Sequence, residues 1–175
     1  MIHATKYGPT RPLQKSDDRK SFDCGVDPLN LYLSQYALQN QKRDAARTYV
    51  LGNEDGKIEG YYTLVYGSVS VGETPEEISS GLGKFPVPII LIARLAVSIG
   101  AHGKGLGRSL IRDALIRSVG AADIAGLTAV VVDAKDAGAK ALYEKAGFVP
   151  GPEDEFQLFM KVSEIRRSLS IDGSS

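Results

Sequence analysis

Apolar and polar positions change their period several times along the chain, and each change marks an element. Leu29, Leu33, Tyr36 and Ala37 recur at helical spacing after Asp27 and Pro28. That predicts a first helix with Asp27 as its N-cap and Pro28 at its first position. Residues 47–51 (RTYVL) and 58–71 (IEGYYTLVYGSVSV) read as strands joined through Asn53-Glu54-Asp55-Gly56. Tyr61, Tyr62 and Tyr66 on the second strand are expected to pack on the sheet rather than to stack on bases. Residues 89–93 form an apolar run, broken by Arg94 and resumed through Leu95 and Val97, which predicts a strand buried on both faces. Leu106, Leu110, Ile111, Ala114, Leu115 and Val119 then make a helical stripe, with Arg108, Arg112 and Arg117 mostly off it.

Further on, residues 127–132 (LTAVVV) predict another buried strand, Asp136 an N-cap, residues 139–146 a short helix and Gly147 its stop. Phe156, Leu158, Met160 and Val162 alternate as a last strand. Residues 1–21 are polar with one short edge strand, and 74–84 are loop-like with one helical turn at 75–78. Residues 163–175 read as a polar, serine-rich tail, a frayed helix. The expectation is an α+β fold: one domain over residues 1–162, followed by the tail.

Composition narrows the chemistry. The 175 residues carry 21 basic and 21 acidic side chains, so no net field draws the chain to nucleic acid or membrane. The charges alternate in blocks, however: residues 1–50 hold 8 basic and 5 acidic groups, and residues 91–120 hold 5 and 1. If those blocks share a face, a basic surface exists despite the neutral total; ordinary solvated helix faces are the alternative. Cys24 is the one cysteine, which excludes an internal disulfide, and with two histidines it argues against a dedicated metal site. No leader pattern is present, and no apolar stretch approaches ~18 residues, so the expected compartment is the cytoplasm, with no membrane contact.

The glycines at 103, 105 and 107 follow the apolar strand and precede the helical stripe. Glycines there leave amide N–H groups bare at a helix N-terminus, where a phosphate binds. There is no Gly-Lys-Ser/Thr ending and no GxGxxG with a following acidic residue. His102-Gly103-Lys104-Gly105-Leu106-Gly107 resembles the Q/R-x-x-G-x-G/A acetyl-CoA pyrophosphate loop of the GNAT acetyltransferases, with His in the first place. Asp136-x-x-Ala139-x-x-Leu142-Tyr143-x-x-x-Gly147-Phe148 is similar to the N-x-x-A-x-x-L-Y-x-x-x-G-F segment of the same family, with Asp for Asn.

The resemblance implies a GNAT acyl-CoA N-acyltransferase fold, a mixed, mostly antiparallel, splayed sheet with helices on both faces. It implies acetyl-CoA as co-substrate, with pantetheine on the backbone of Leu95, Ala96 and Val97. The pyrophosphate then falls on His102, Gly103, Lys104, Gly105, Leu106, Gly107 and Arg108, and Asp136 is a cofactor-side position. Attack of an amine on a thioester expels a thiolate, and a phenol near the sulfur can donate to it, so Tyr143 is the candidate general acid. A tyrosine that only packs its helix on the sheet is the alternative. No general base is evident; His102 is a minor candidate, and an α-amino group made less basic by an ester carbonyl needs little help.

Phe22-Asp23-Cys24-Gly25, Gly60-Tyr61-Tyr62, Pro86-x-Pro88 leading into Ala93-Arg94-Leu95-Ala96-Val97, and Phe148-Val149-Pro150 carry the resemblance further. Together they look like the GNAT toxins of bacterial toxin–antitoxin modules. Those acetylate the α-amino group of aminoacyl-tRNA, block translation, form homodimers and are neutralised by a ribbon-helix-helix antitoxin. An arginine inside an apolar strand is costly unless it is paired or reaches a wet cleft. The resemblance assigns Arg94 to tRNA, with a buried pair to a carboxylate such as Asp133 as the alternative; Lys42, Arg43, Arg47 and Lys135 are weaker tRNA contacts. Ser98 stands where the toxins usually carry Asp. Two other readings stay open: a GNAT enzyme acting on a small amine or a protein N-terminus, and a non-catalytic acyl-CoA-binding regulatory module.

Overall fold

The computed structural model describes residues 7–173. Its elements are β1 (Arg11–Pro12), α1 (Asp27–Leu31), a π turn (Tyr32–Tyr36), α2 (Ala37–Lys42), β2 (Arg47–Gly52), β3 (Ile58–Val69) and α3 (Glu76–Ser79). They continue with β4 (Val87–Val97), α4 (Leu106–Ala122), β5 (Ala129–Asp133), α5 (Ala137–Ala146), β6 (Val149–Pro150), β7 (Gln157–Lys161) and α6 (Val162–Gly173). The strands are hydrogen-bonded in the order β1-β2-β3-β4-β5-β7-β6. Neighbours β1–β2, β2–β3, β5–β7 and β6–β7 are antiparallel, and β4–β5 is parallel. This is the mixed α+β arrangement expected from the sequence. Among the described residues no helix is long and apolar enough to cross a membrane.

The chain divides into two compact units, Met1–Val65 with Ala93–Leu110 and Tyr66–Ile92 with Ile111–Ser175. In the first, Val50 and Tyr61 are cross-strand partners on one sheet face, where they meet Leu33, Ala37, Tyr32, Phe22 and Ala96. Phe22 meets the Tyr61 ring edge to face at 5.5 Å. The Tyr61 hydroxyl donates to the Leu29 carbonyl at 2.7 Å, which ties α1 to the sheet. Fully burying side chains of this size stabilises by about 1.5–3 kcal/mol each, so this cluster rather than helix propensity holds the short helices. Thr48 and Thr63 are buried beside it, and their hydroxyls satisfy each other at 2.8 Å. Gly60 faces the other way: a Cβ there would lie 2.9 Å from Leu110 Cδ1 and 3.3 Å from the Ala96 carbonyl oxygen. Its absence lets the start of α4 lie directly on the sheet.

The second unit has its own core of Val69, Ile78, Val87, Ile89, Ala129, Val131 and Phe159. Val131 pairs with Phe159 on that face, while Val130 and its partner Met160 point to the opposite one. There Gly147, in the left-handed region at φ 112°, ends α5, and a Cβ on it would stand 3.0 Å from Met160 Cε. The β4–β5 ladder runs from Ile89 opposite Ala129 to Ile92 opposite Val132, and β4 continues through residue 97.

Several expectations are corrected. Asp27 is the first residue of α1 and not its cap; Val26 is the cap, without a side-chain bond. The preceding turn is closed instead by Asn30, which accepts the Cys24 amide, and by Asp23, which accepts the Gly25 amide, both at 2.9 Å. The helix is interrupted at Tyr32–Tyr36, where the Ala37 amide bonds back to the Tyr32 carbonyl. The wider turn leaves Leu33 and Ala37 fully buried but turns Tyr36 out, 50 % exposed. Tyr66 does not pack on the sheet; it is 64 % exposed, because β2 pairs with β3 no further than Leu64. The strand through β4 is buried on both faces only near Ile89, Ile90 and Ile92, and from residue 93 it is mostly half-buried. In α4 the stripe turns to a fully buried Ser118, which donates to the Ala114 carbonyl at 2.8 Å, rather than to Val119.

Residues 162–173 form a helix with Val162 and Ile165 buried and Arg166 paired to Asp123 at 2.7 Å. The expected tail is thus helical as far as Gly173; its last two residues, like the first six of the expected N-terminal segment, lie outside the described residues. The expected edge strand is β1.

Asp136 does cap α5, accepting the Ala139 amide at 2.8 Å. Replacing it by Ala is expected to lower stability by about 1 kcal/mol, whereas Asn, which accepts equally well, leaves it nearly unchanged. Denaturant midpoints of the two variants check this.

Candidate active site

Where β4 ends, the chain is fastened from three sides. The Ser98 amide donates to the Glu59 carbonyl at 2.8 Å and its hydroxyl to the Glu59 carboxylate at 2.9 Å. The Ile99 amide donates to the Asp23 carbonyl at 2.9 Å. After a single 3-10 turn, Ile99–Ala101, the His102 ring returns to the strand, with Nε2 2.8 Å from the Val97 carbonyl oxygen. A carbonyl only accepts, so Nε2 carries the hydrogen. That nitrogen closes the loop and is not free to take a proton from an amine.

The loop that follows is open. Gly103 and Gly105 have φ of 79° and 78°, and no atom lies within 4 Å of where their Cβ atoms would stand. The Ser109 amide bonds the Gly105 carbonyl at 3.2 Å, so the amides of Leu106, Gly107 and Arg108 precede the helical ladder. His102, Lys104 and Arg108 are exposed, Gly107 half-buried and Leu106 buried under the turn. Bare amides, a helix N-terminus and two exposed cations in uncrowded space suit an oxyanion such as a pyrophosphate.

Of the β4 residues before the loop, Ala96 is buried in the first unit's core and Leu95 and Val97 are half-buried. Arg94 is half-buried, and its guanidinium carbon lies 3.7 Å from the centroid of the Tyr32 ring. Among the described residues a cation–π contact thus stands in place of the carboxylate pair that the sequence also allowed. Lys42 and Arg43 are exposed at the end of α2. Arg47 is exposed but tied to Asp44 at 2.6 Å and to the Gln41 carbonyl at 2.9 Å.

In the second unit Tyr143 sits on α5, 6 % exposed, with Phe148 edge to face at 5.5 Å. Burial pushes its phenol above the ordinary range, so it stays protonated. Lys135 is exposed just before the Asp136 cap. Burial and the nearby Asp154 push the Asp133 carboxyl up. Among the described residues no group of three or more His, Cys, Asp and Glu side chains is placed to hold a metal ion.

Residues 44–150 match the model of the acetyltransferase (GNAT) domain. The chain belongs to the GNAT acetyltransferase family. As a GNAT acetyltransferase it is an N-acetyltransferase with acetyl-CoA as acyl donor. It is 37% identical over 160 residues to a tRNA-acetylating toxin of Mycobacterium tuberculosis, covering 91% of this chain and 95% of that protein. A solved tyrosine-to-phenylalanine mutant of KacT has a TM-score of 0.86 at 25% identity, covering 93% of this chain and 98% of that one. AtaT complexed with acetyl-methionyl-tRNAfMet has a TM-score of 0.85 at 24% identity, covering 92% and 98%. A phenylalanine mutant of AtaT was also solved with acetyl-CoA and the C-terminus of the antitoxin AtaR, at TM-score 0.79, 24% identity and coverage of 94% and 98%. At such identities the AtaT likeness carries the fold.

Sequence reasoning missed two residues that contact this candidate site. Glu59 supplies the carboxylate at Ser98, and Tyr32 receives Arg94. The absent Asp at position 98 was a signal for the first, since a polar strand end needs a partner; nothing in the linear pattern marked the second.

Gly105→Ala is expected to weaken acetyl-CoA binding about 10-fold, since the open loop relaxes away from a strain of about 1–2 kcal/mol when free and must meet it when bound. Titration calorimetry with acetyl-CoA measures it, and an unchanged melting temperature shows that the loss is local.

Proposed function

We propose that this enzyme acetylates the α-amino group of aminoacyl-tRNA in the cytoplasm and so blocks translation. In this reading it is the toxin of a toxin–antitoxin pair, a homodimer neutralised by a ribbon-helix-helix antitoxin. The observation that carries the reading is the 37% identity to a tRNA-acetylating toxin over 91% of this chain. The local geometry supports it. Backbone groups of Leu95, Ala96 and Val97, beyond the end of the β5 ladder, hold the pantetheine arm. The amides from Gly103 to Arg108 receive the pyrophosphate, with Lys104 and Arg108 as counter-charges. Asp136 contributes by fixing the start of α5, seven residues ahead of Tyr143. His102 contributes by closing the loop on Val97.

Acetyl-CoA supplies a thioester whose sulfur must leave as the C–N bond forms. An ordinary thiol has a pKa of about 8.5 and an ordinary phenol about 10. The Tyr143 phenol, raised further by burial, therefore gives its proton up to a thiolate only uphill and acts mainly as a hydrogen-bond donor to the departing sulfur. Arg94 takes a phosphate of the acceptor end, and Lys42, Arg43, Arg47 and Lys135 add weaker contacts. Of these, Arg47 is the least available, being paired already. No side chain is assigned as base. An aminoacyl ester weakens its own α-amine, so a fraction is neutral without one, and the proton that the nitrogen sheds as the amide forms passes to the departing thiolate or to water.

With labelled acetyl-CoA, label is expected on charged tRNA and not on uncharged tRNA or free amino acids. Tyr143→Phe is expected to lower kcat by about 10²–10³-fold while leaving KM for acetyl-CoA within about 2-fold. Label confined to free amines overturns the reading.

Raising a phenol's pKa extends its protonated form to higher pH. The kcat profile is therefore expected to show no alkaline decline from Tyr143 below about pH 10. A decline that starts near neutrality and disappears in Tyr143→Phe contradicts this.

A further inference from the structure

We infer that the π turn Tyr32–Tyr36 is a positioning device for Arg94, and that Tyr32 is the positioning residue through which it acts. The inference rests on the assignment of Arg94 to an acceptor phosphate made above. Tyr32 opens the turn and accepts at its carbonyl the amide of Ala37, the bond that makes the turn one residue wider than an α-helix. The extra residue offsets the two sides of the turn. Tyr32 and Leu33 are both buried while Tyr36, which an unbroken helix would place on the buried stripe, is exposed. The turn has supports of its own: Arg19 Nη1 donates to the Ser34 carbonyl at 3.4 Å and the Ser34 hydroxyl to the Leu31 carbonyl at 3.3 Å. Asn40 Nδ2 donates to the Tyr32 hydroxyl at 3.3 Å.

The ring so held lies 3.7 Å beneath the Arg94 guanidinium. The manner of holding matters. A carboxylate partner takes the edge of a guanidinium, occupying its N–H fork and cancelling its charge. A ring takes only the face, leaving the five N–H donors and the charge for another oxyanion. A stacked arginine is thus oriented and still unspent, which is what bidentate recognition of a phosphate requires. Lysine lacks the plane that makes such stacking possible, and leucine in place of Tyr32 offers no quadrupole.

The test is steady-state kinetics on the full chain with a pool of charged tRNA, varying tRNA and acetyl-CoA separately. Tyr32→Leu is expected to raise KM for charged tRNA about 3- to 30-fold, the equivalent of one lost cation–π contact, with KM for acetyl-CoA within about 2-fold. Tyr32→Phe, which keeps the ring, is expected to stay within about 2-fold of the unsubstituted enzyme in both. In an Arg94→Met background, Tyr32→Leu is expected to change nothing further. Circular dichroism checks folding, and Tyr32→Met, which also fills the site without an aromatic face, replaces Tyr32→Leu if that variant does not fold. An equal loss with and without Arg94, or Tyr32→Phe no better than Tyr32→Leu, overturns the inference and leaves the function standing. Failure of the unsubstituted enzyme to label charged tRNA, with free amines labelled, overturns the function and the inference with it.

Discussion

The structure depends on how one strand's backbone is satisfied where its neighbour stops. An amide or carbonyl taken out of water needs a partner, and leaving one unmet costs about 1–3 kcal/mol. Along residues 89–92 β4 meets this demand with β5, and beyond Ile92 that ladder is over. From there on the strand end is held by local fastenings, those to Glu59 on the β3 side. Glu59 takes the amide and hydroxyl of Ser98, Asp23 takes the amide of Ile99, and His102 donates to the carbonyl of Val97. With the strand end secured on those groups, the glycine loop can stand open, its amides uncommitted at the head of α4. Gly60 serves the same end from below, by letting Leu110 sit against the sheet.

Much of this was legible in the sequence. The apolar run and glycine spacing around residues 89–107 announced a strand, a loop and a helix, because backbone requirements at a turn are local and only glycine meets them cheaply. The segment from Asp136 to Phe148 was equally readable, since an N-cap and a left-handed C-terminal glycine are also local devices. What was not legible depends on tertiary context. An extra residue in a helical turn leaves no mark in hydrophobic spacing when Leu33 and Ala37 still meet the core, so Tyr36 read as buried. Arg94 read as costly, correctly, but the choice between a carboxylate and a ring is made by an element more than fifty positions earlier. His102 read as an anion donor because the loop motif places a donor there; that one of its ring nitrogens also bonds the Val97 carbonyl could not be read from the motif.

Charge is used sparingly. The chain is neutral overall, and many of its ion pairs are surface contacts worth little, such as Arg167 with Glu164 at 3.3 Å. The groups that matter are set by local surroundings: a cation held against an aromatic face, a phenol kept protonated by burial, a carboxylate capping a helix. Each is set by one near neighbour or by burial rather than by the field of the whole chain.

The widened turn has an evolutionary corollary. A helix advances by about 100° per residue, so a chain that gains or loses one residue within positions 32–36 rotates everything before it relative to everything after. A one-codon deletion there would restore a regular helix and swing the tyrosine from under Arg94 without touching the arginine, the loop or α5. Among relatives, changes in length at this point, more than changes in residue identity, would then separate lineages with differently poised arginines.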